Sequence, residues 1–312
     1  MRAAILREFG QPPEIGEFDD PRPGDGQEVV DVLAAGLNPV DILKASGHFY
    51  GGNPPLPSVV GTEGIARLAD GRTVYFDTPV APYGSFAERA LIDPALTYGC
   101  PEGLDPGLAV VLGISGLAAW LALDFRAQLR QGETALVLGA GGVVGQVAVQ
   151  AAKLLGAGRV VAAARSEERL DRALQQGADA TVQIGAVDDL ATAIREAAGG
   201  GVDVVVDPVW GEPAVAALDA MNARGRLVQI GQSAGATAVV PSALVRGKTL
   251  DVLGMTIFGV PPEDKRAAYE TMAEHANAGR LEVEVERIPL DGVADAWKRQ
   301  TSSPGVKLVV EP

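Results

Sequence analysis

A short apolar segment that runs straight into a cluster of glycines constrains the fold of this chain more than any other feature. Residues 134–139 have the composition of a buried strand, and the segment 139–145 reads Gly-Ala-Gly-Gly-Val-Val-Gly. Apolar residues then recur at helical spacing from Val143 to Leu155, and Gly156 follows where a left-handed C-cap would end a helix. A strand, a glycine turn and a helix in this order predict the start of a dinucleotide-binding parallel sheet.

Apolar strands alternate with amphipathic helices from about residue 116 to residue 254. Such alternation is typical of a parallel sheet covered by helices on both faces. Six strands can be counted, the number in a complete doubly wound sheet, so we predict an α/β fold with a Rossmann-type doubly wound parallel sheet. The predicted strands are 134–139, 159–163, 180–184, 202–208, 226–231 and 249–254.

The rest of the chain has a different residue pattern. Residues 1–115 are rich in Pro and Gly and contain short β-type runs such as 28–32 and 73–76, which predict a β-rich lobe. Residues 255–312 do not continue the alternation, and we expect them to pack onto that lobe. Two domains are therefore predicted, one of residues 1–115 with 255–312 and one of residues 116–254.

Charge and cysteine content limit the partners and the compartment. The 312 residues carry a net charge of −14, which repels nucleic acid and anionic membrane surfaces. The single cysteine, Cys100, allows no internal disulfide. Residues 1–8 lack the apolar run of a secretory signal, and glycines and charges interrupt the apolar stretch 134–164. We expect a cytoplasmic protein without nucleic-acid or membrane partners.

The glycine loop supplies the first predicted cofactor-binding residues. Gly139, Gly142 and Gly145 form a Gly-x-x-Gly-x-x-Gly register that lets the backbone approach a pyrophosphate. Val143 and Val144 open the helix, whose free N–H groups and positive dipole end attract phosphate. A glycine turn without a ligand is the alternative interpretation.

The end of the second strand indicates which dinucleotide binds. NAD-binding folds place an acid there for the ribose hydroxyls, whereas this chain has Ala164. Arg165, Ser166 and Arg169 follow, and guanidinium groups bind phosphate in a bidentate manner. The pattern predicts a 2′-phosphate site and hence NADPH rather than NADH. The alternative is that both arginines are solvated residues at a helix start, with Arg169 paired to a neighbouring acid.

Two further strands end where the nicotinamide should lie. Pro208 follows the fourth strand, and Gly231 with Gln232 follows the fifth, at the carboxyl edge of the predicted sheet. Ile257 and Phe258 are predicted to form an apolar wall of the substrate pocket. Ordinary core packing is the alternative for Phe258.

Several motifs in a fixed order resemble the medium-chain dehydrogenase/reductase superfamily, in particular its zinc-independent quinone oxidoreductase and enoyl reductase branch. The resemblance covers residues 1–312 and implies that the β-rich lobe is a GroES-like catalytic domain. It also implies a homodimer. The motifs are Ala-Gly-Leu-Asn-Pro-Val-Asp at 35–41, Gly-Thr-Glu-Gly at 61–64, Tyr-Gly-Ser-Phe-Ala-Glu at 83–88, the glycine-rich helix start at 142–150 and Gly-Ala-Asp at 177–179.

The resemblance implies that no metal is bound. Zinc alcohol dehydrogenases of this superfamily place the first two ligands of the catalytic zinc at positions that match Asn38 and Thr62, neither of which is a good zinc ligand. No cysteine cluster exists for a structural metal, and the two histidines, His48 and His275, are far apart in the sequence. Thr62 is instead expected in the substrate pocket.

A metal-free site favours hydride transfer to a carbon that is already electrophilic, as in quinones and α,β-unsaturated carbonyl compounds. The charge that develops on the acceptor oxygen needs hydrogen-bond donors, and Asn38 and Tyr50 are the predicted catalytic residues. Asn38 could instead stabilise the turn before Pro39, and Tyr50 could simply pack. Asp41 is expected to be structural. A pathway-specific enoyl reductase and a non-catalytic NADPH-binding protein are the alternative functions.

Overall fold

The computed structural model describes all 312 residues, in sixteen strands and ten α-helices. The strands are β1 (Arg2–Leu6), β2 (Glu14–Glu17), β3 (Glu28–Gly36), β4 (Ser58–Val59), β5 (Glu63–Arg67), β6 (Thr73–Phe76), β7 (Arg89–Ile92), β8 (Tyr98–Gly99), β9 (Thr134–Leu138), β10 (Arg159–Ala164), β11 (Ala180–Gln183), β12 (Val202–Asp207), β13 (Met221–Gln229), β14 (Asp251–Gly254), β15 (Val285–Pro289) and β16 (Lys307–Glu311). The helices are α1 (Pro39–Ala45), α2 (Pro106–Val111), α3 (Leu117–Leu121), α4 (Val143–Leu154), α5 (Glu167–Gln175), α6 (Leu190–Ala198), α7 (Gly211–Ala220), α8 (Ser242–Lys248), α9 (Pro262–Asn277) and α10 (Val293–Gln300).

The chain divides into two compact units. The first contains Met1–Ile114 and Tyr269–Pro312, and the second contains Ser115–Ala268. The sequence pattern had instead placed residues 255–268 with the β-rich lobe. They group with the second unit because the short 3-10 helix Ile257–Gly259 packs against α3, which belongs to that unit.

The second unit is built on a six-stranded sheet in the order β11-β10-β9-β12-β13-β14. Every neighbouring pair in this sheet is parallel. The chain enters at the central strand β9, moves outward to β11, and returns to β12 before it moves outward to β14 on the other side. This order places the topological switch point between β9 and β12, where dinucleotides bind in such sheets. The predicted doubly wound fold is confirmed.

The first unit is β-rich, as the predicted fold class requires. One sheet runs β15-β16-β3-β5-β6-β8, with β7 also paired to β3, and a smaller sheet has the order β2-β1-β4. The C-terminal strand β16 pairs with β3, with Val310 opposite Ala35. Phe76, Phe86 and Trp297 contribute to one apolar core, so the two ends of the chain share it.

Residues 106–126 form one long helical stretch. The sequence pattern had instead predicted that the β-rich lobe continues to residue 115. This stretch is long and apolar enough to cross a membrane, but 72% of its most apolar 18-residue segment is buried within the protein. It bends at Gly113, where ψ is −122°. Glycine is required there because a Cβ would collide with the ring of Tyr75 and the carboxylate of Glu63.

Candidate functional site

The glycine loop between β9 and α4 has a shape that side chains would prevent. Gly139 adopts a φ of +63°, which favours glycine. A Cβ at position 145 would lie 2.5 Å from Cα of Ala140, so α4 can begin this close to the loop only with glycine there. At position 142 the nearest atom to a Cβ would be 3.5 Å away, so the fold itself would accept alanine at Gly142.

The start of α4 leaves backbone donors at the same edge of the sheet. Gly142 is the N-cap residue, and Val143 and Val144 open the helix. The N–H of Gln146 donates to the carbonyl of Gly142 at 2.9 Å, so the N–H groups of the two valines precede the intrahelical bonds. Such donors, with the positive end of the helix dipole, can hold a phosphate.

The polar residues after β10 lie beside this loop. Ser166 is the N-cap of α5, and its hydroxyl accepts a hydrogen bond from the N–H of Arg169 at 3.5 Å. The stem of Arg169 covers Gly141, since a Cβ there would lie 2.6 Å from Cδ of the arginine. Arg165 is exposed directly after Ala164, the last residue of the strand. The structure thus brings both arginines to the edge that carries the glycine loop.

The residues that follow β12 and β13 meet at this edge too. A Cβ on Gly231 would lie 2.5 Å from the carbonyl oxygen of Pro208, and one on Gly139 would lie 3.4 Å from Cγ of that proline. Gln232 follows and is exposed. Three segments predicted to bind the cofactor therefore converge at the carboxyl edge.

Asp207 holds the turn after β12. One carboxylate oxygen, Oδ1, accepts the N–H groups of Val209 and Trp210 at 2.9 and 2.8 Å. Burial raises the pKa of Asp207, while these two donors oppose the rise. The turn places Trp210 at a φ of +57°.

The predicted substrate-pocket residues of the second unit have different surroundings. Ile257 is buried, whereas Phe258 is 40% exposed. Both belong to the short 3-10 helix after β14. Neither lines the cavity of the first unit that is described below.

Asn38 lies in a buried polar network, and this changes its predicted role. Its amide Nδ2 donates to the carbonyl of Gly36 at 3.0 Å and to Oε1 of Glu63 at 2.7 Å. Its Oδ1 accepts a hydrogen bond from Nζ of Lys307 at 2.6 Å. Both amide hydrogens of Asn38 are therefore used within the protein, so it is not placed to donate to an acceptor oxygen.

Glu63 is the centre of this network, and it was not among the residues predicted to be functional. Nζ of Lys307 lies 2.8 Å from Oε1. The hydroxyl of Tyr75 and the N–H of Ile114 donate to Oε2 at 3.0 and 2.6 Å. Burial, and then the neighbouring Glu63 charge, raise the pKa of Tyr75, so its hydroxyl keeps the proton that it donates. A lone lysine in the apolar run 306–310 was the available signal.

A cavity of about 350 Å³ lies in the first unit. Asp41, Lys44 and Thr62 contribute its charged and hydroxyl groups. The Thr62 hydroxyl donates to Oδ1 of Asp41 at 2.6 Å and accepts from Nζ of Lys44 at 3.0 Å. The other oxygen of Asp41 accepts the backbone N–H of Asn38 at 2.8 Å. Thr62 thus lines the cavity, and its place in a substrate pocket stays a prediction. Asp41 connects the Thr62 hydroxyl to the backbone of Asn38.

Burial affects the two charged groups of the cavity in opposite directions. It raises the pKa of Asp41, although the hydrogen bonds from Thr62 and Asn38 act against the rise. It lowers the pKa of Lys44, although the charges of Asp41 and Asp77 favour the ammonium form.

Tyr50 lies outside the cavity. Its side chain is 75% exposed, and its ring packs on that of Phe49 with 4.7 Å between the centroids. Phe49 lines the cavity, and its ring centroid lies 5.6 Å from Nζ of Lys44. Tyr50 is therefore not placed to polarise an acceptor in this cavity, because Phe49 occupies the inner position.

Known proteins match this chain over most of its length. A family model described as zinc-binding dehydrogenase matches residues 143–275. Quinone oxidoreductase-like protein 2 of Mus musculus is 36% identical over 81% of this chain and 74% of its own length. The quinone oxidoreductase of Homo sapiens is 28% identical over 95% of this chain and 92% of its own. The structure of the quinone oxidoreductase from Thermus thermophilus, solved also with NADPH, is 31% identical over the whole of both chains, with a TM-score of 0.84.

A doubly wound sheet with a glycine loop, joined in one chain to a β-rich unit, defines the medium-chain dehydrogenase/reductase class. The resemblance seen in the sequence motifs is confirmed by these matches. The chain belongs to the quinone oxidoreductase family of this class, which is a family of oxidoreductases.

The name of the matching family model raises the question of whether the residues present fit a zinc ion. Residues 143–275 contain one histidine, His275, and no cysteine. Asn38 and Thr62, at the positions expected for ligands, bind the ammonium groups of Lys307 and Lys44. No group of three or more His, Cys, Asp or Glu side chains is arranged to hold a metal ion. This set of donors does not fit zinc, which prefers thiolate, imidazole and carboxylate ligands.

Proposed function

We propose that this protein is an NADPH-dependent oxidoreductase that reduces quinones or α,β-unsaturated carbonyl compounds without zinc. The observation that carries the proposal is the convergence of the glycine loop, the two arginines and the contact between Pro208 and Gly231 at the switch point of the sheet. The family of the chain supports this proposal, as does its sequence similarity to a quinone oxidoreductase solved in complex with NADPH. The acceptor is a small molecule.

Three groups of residues at the carboxyl edge would each bind a different part of NADPH. Gly139, Gly142 and Gly145, with the N–H groups of Val143 and Val144, would hold the pyrophosphate.

The neighbouring segments would bind the other two parts of NADPH, the 2′-phosphate and the nicotinamide. Arg165, Ser166 and Arg169 would bind the 2′-phosphate, and guanidinium groups suit this task because they form bidentate hydrogen bonds. The segments at Pro208 and Gly231, with Gln232, would position the nicotinamide. NADPH, when bound, supplies the hydride for the reduction.

The residues of the first unit prepare the acceptor side. Reduction places negative charge on an acceptor oxygen, which must be stabilised and then protonated. We assign Asn38 a positioning role: its backbone N–H fixes Asp41, and the Asp41 carboxylate fixes the Thr62 hydroxyl. Tyr50 is assigned no catalytic role, because it is exposed outside the cavity.

A screen of acceptors tests the proposed function. Purified protein would be mixed with NADPH and, in separate reactions, a benzoquinone, a naphthoquinone, an alkenal, a cyclic enone and an enoyl thioester. We expect NADPH oxidation with quinones or simple enones. Activity confined to enoyl thioesters would support a pathway-specific enoyl reductase instead, and binding of NADPH without turnover of any acceptor would support a non-catalytic role.

The remaining expectations concern the state of the protein in the cell. We propose a cytoplasmic homodimer without nucleic-acid or membrane partners, as the charge of −14 and the family resemblance indicate. Light scattering of the purified protein should give twice the chain mass of 32.1 kDa, and a mass equal to one chain would contradict the dimer.

A further inference from the structure

Gly141 is the one glycine of the cofactor loop to which the proposed function assigns no part. It is buried, and its φ is not positive, so the backbone conformation alone does not require glycine there. The residues on either side are held in place. The N–H of Ala140 donates to the carbonyl of Ala163 on β10 at 3.0 Å, and the N–H of Gly142 donates within the loop at the same distance. The reason for a glycine at position 141 therefore lies in what surrounds it.

A single side chain occupies the space next to Gly141. A Cβ built on this glycine would lie 2.6 Å from Cδ, 2.8 Å from Cβ and 3.3 Å from Cγ of Arg169, and these are the three nearest atoms outside the chain neighbours. Carbon atoms in contact prefer a separation of about 3.5–4.0 Å. The Cβ of Arg169 cannot move aside alone, because the backbone of α5 fixes its place. A side chain at position 141 would therefore displace the arginine together with the first turn of α5.

Arg169 reaches the glycine loop because of its place in α5. Ser166 caps this helix, so residue 169 belongs to the first turn. Arg169 is half-buried, whereas Glu167 and Glu168 of the same turn are exposed, so the arginine lies on the side of the helix that faces the protein. Its apolar stem packs on Gly141, as the stems of long cationic side chains commonly do. A stem that is already packed loses little conformational freedom when the guanidinium binds a ligand.

The two cofactors differ in only one of the groups that bind here. The glycine loop would bind the pyrophosphate, which NADPH and NADH share, whereas Arg169 would bind the 2′-phosphate, which only NADPH carries. We propose that Gly141 determines the cofactor preference, because its lack of a side chain lets the stem of Arg169 pack on the loop and so holds the guanidinium at the 2′-phosphate. This inference rests on the proposed function and adds to it the residue that sets the spacing between the two phosphate sites.

Equilibrium titration of NADPH and of NADH, without an acceptor, tests this role. Gly141→Ala should weaken NADPH by about tenfold, the loss expected for Arg169→Ala, because the charged hydrogen bond to the 2′-phosphate is lost. The Kd for NADH should stay within about twofold, since NADH has no phosphate for this arginine to bind. Gly142→Ala is the matched control. It adds the same methyl group to the same loop but meets nothing closer than 3.5 Å, so it should weaken both cofactors alike.

A second pair of variants keeps the test decisive if Gly141→Ala does not fold, as judged by thermal unfolding. Arg169→Gly removes all three atoms that a Cβ at position 141 would meet. The double variant Gly141→Ala with Arg169→Gly should therefore match Arg169→Gly alone in Tm and in its Kd for each cofactor. Such non-additivity is the signature of two residues that act on each other. A double variant that binds NADH more weakly than Arg169→Gly would overturn the proposal, because the glycine would then serve the pyrophosphate.

The remaining outcomes separate this inference from the proposed function. Equal weakening of NADPH and NADH by Gly141→Ala would overturn the inference, and so would unchanged affinity for both. The titration contains no acceptor, so its result is independent of the reduction. If no quinone or enone is reduced but Gly141→Ala selectively loses NADPH, the proposed reaction fails and the role of Gly141 stands. If acceptors are reduced but the unmodified protein binds both cofactors equally well, the role of Gly141 fails and the reduction stands.

Discussion

Nζ of Lys307, on the last strand, lies 2.8 Å from Oε1 of Glu63 on β5, and the two side chains are 2% and 0% exposed. Asn38 shares both partners, since its Nδ2 donates to Glu63 and its Oδ1 accepts from Lys307. Removal of one partner from a buried pair leaves the other charge uncompensated, which costs far more than the pair contributes. The C-terminal strand therefore carries a charge on which the core of the first unit depends.

Replacement of Lys307 by Met should lower the free energy of unfolding by about 3–5 kcal/mol, because Glu63 would remain buried without its cation. Urea unfolding of the full chain measures the loss. The double variant Glu63→Gln with Lys307→Met should lose less than Lys307→Met alone, since no charge is then left unpaired. A Lys307→Met protein as stable as the unmodified one would contradict this account of the network.

Two glycines of the cofactor loop should respond differently to alanine. Gly145→Ala places a Cβ 2.5 Å from Cα of Ala140, so we expect a lower Tm and loss of NADPH binding. Gly142→Ala meets nothing closer than 3.5 Å, so its Tm should stay unchanged while the added methyl group weakens NADPH binding at the start of α4. Calorimetry and cofactor titration separate the two effects. Unchanged NADPH affinity in Gly142→Ala would argue against a pyrophosphate at this loop.

The two arginines after β10 should determine the cofactor preference. Arg165→Ala and Arg169→Ala should each weaken NADPH by about tenfold or more and leave NADH nearly unaffected, because a charged hydrogen bond to the 2′-phosphate contributes about 1.5–3 kcal/mol. Fluorescence titration of both cofactors measures this. Arg246→Ala, an exposed arginine on α8, serves as the control. Equal affinity of the unmodified protein for NADPH and NADH would refute the assignment.

The purified protein should contain no stoichiometric zinc, because the side chains at positions 38 and 62 engage lysines. Elemental analysis after dialysis, with a zinc alcohol dehydrogenase as the positive control, measures the metal. Activity should also survive a chelator. One zinc per chain, together with loss of activity on chelation, would contradict the assignment of Asn38 and Thr62 as partners of Lys307 and Lys44.

The cofactor unit could be predicted closely because its signals are local. The glycine turn, the apolar strands and the helix at α4 each follow from neighbouring residues, and the strand order follows from a known topology. The ends of individual strands were predicted less well: β13 begins at Met221, whereas the predicted strand began at residue 226. The long helical stretch at 106–126 was missed because its glycines resembled turn signals.

The network around Glu63 could not be predicted, because its members come from distant parts of the chain. Lys307 is 244 residues from Glu63 and 269 residues from Asn38 in the sequence. The pairing of β3 with β16 on one side and with β5 on the other brings them together. Tyr50 and Phe49 are adjacent aromatic residues in a loop, and nothing in the local sequence indicates which ring turns toward the cavity.

The protein is expected to transfer two electrons from NADPH to a conjugated acceptor. This reaction is tested by mixing the protein with NADPH and 1,4-naphthoquinone without oxygen and measuring the amounts of NADP⁺ and hydroquinone formed. We expect one hydroquinone for each NADPH oxidised, and no reduction of NADP⁺ when ethanol is supplied instead. Unchanged NADPH in the presence of the quinone, together with zinc-free reduction of NADP⁺ by ethanol, would contradict this reaction.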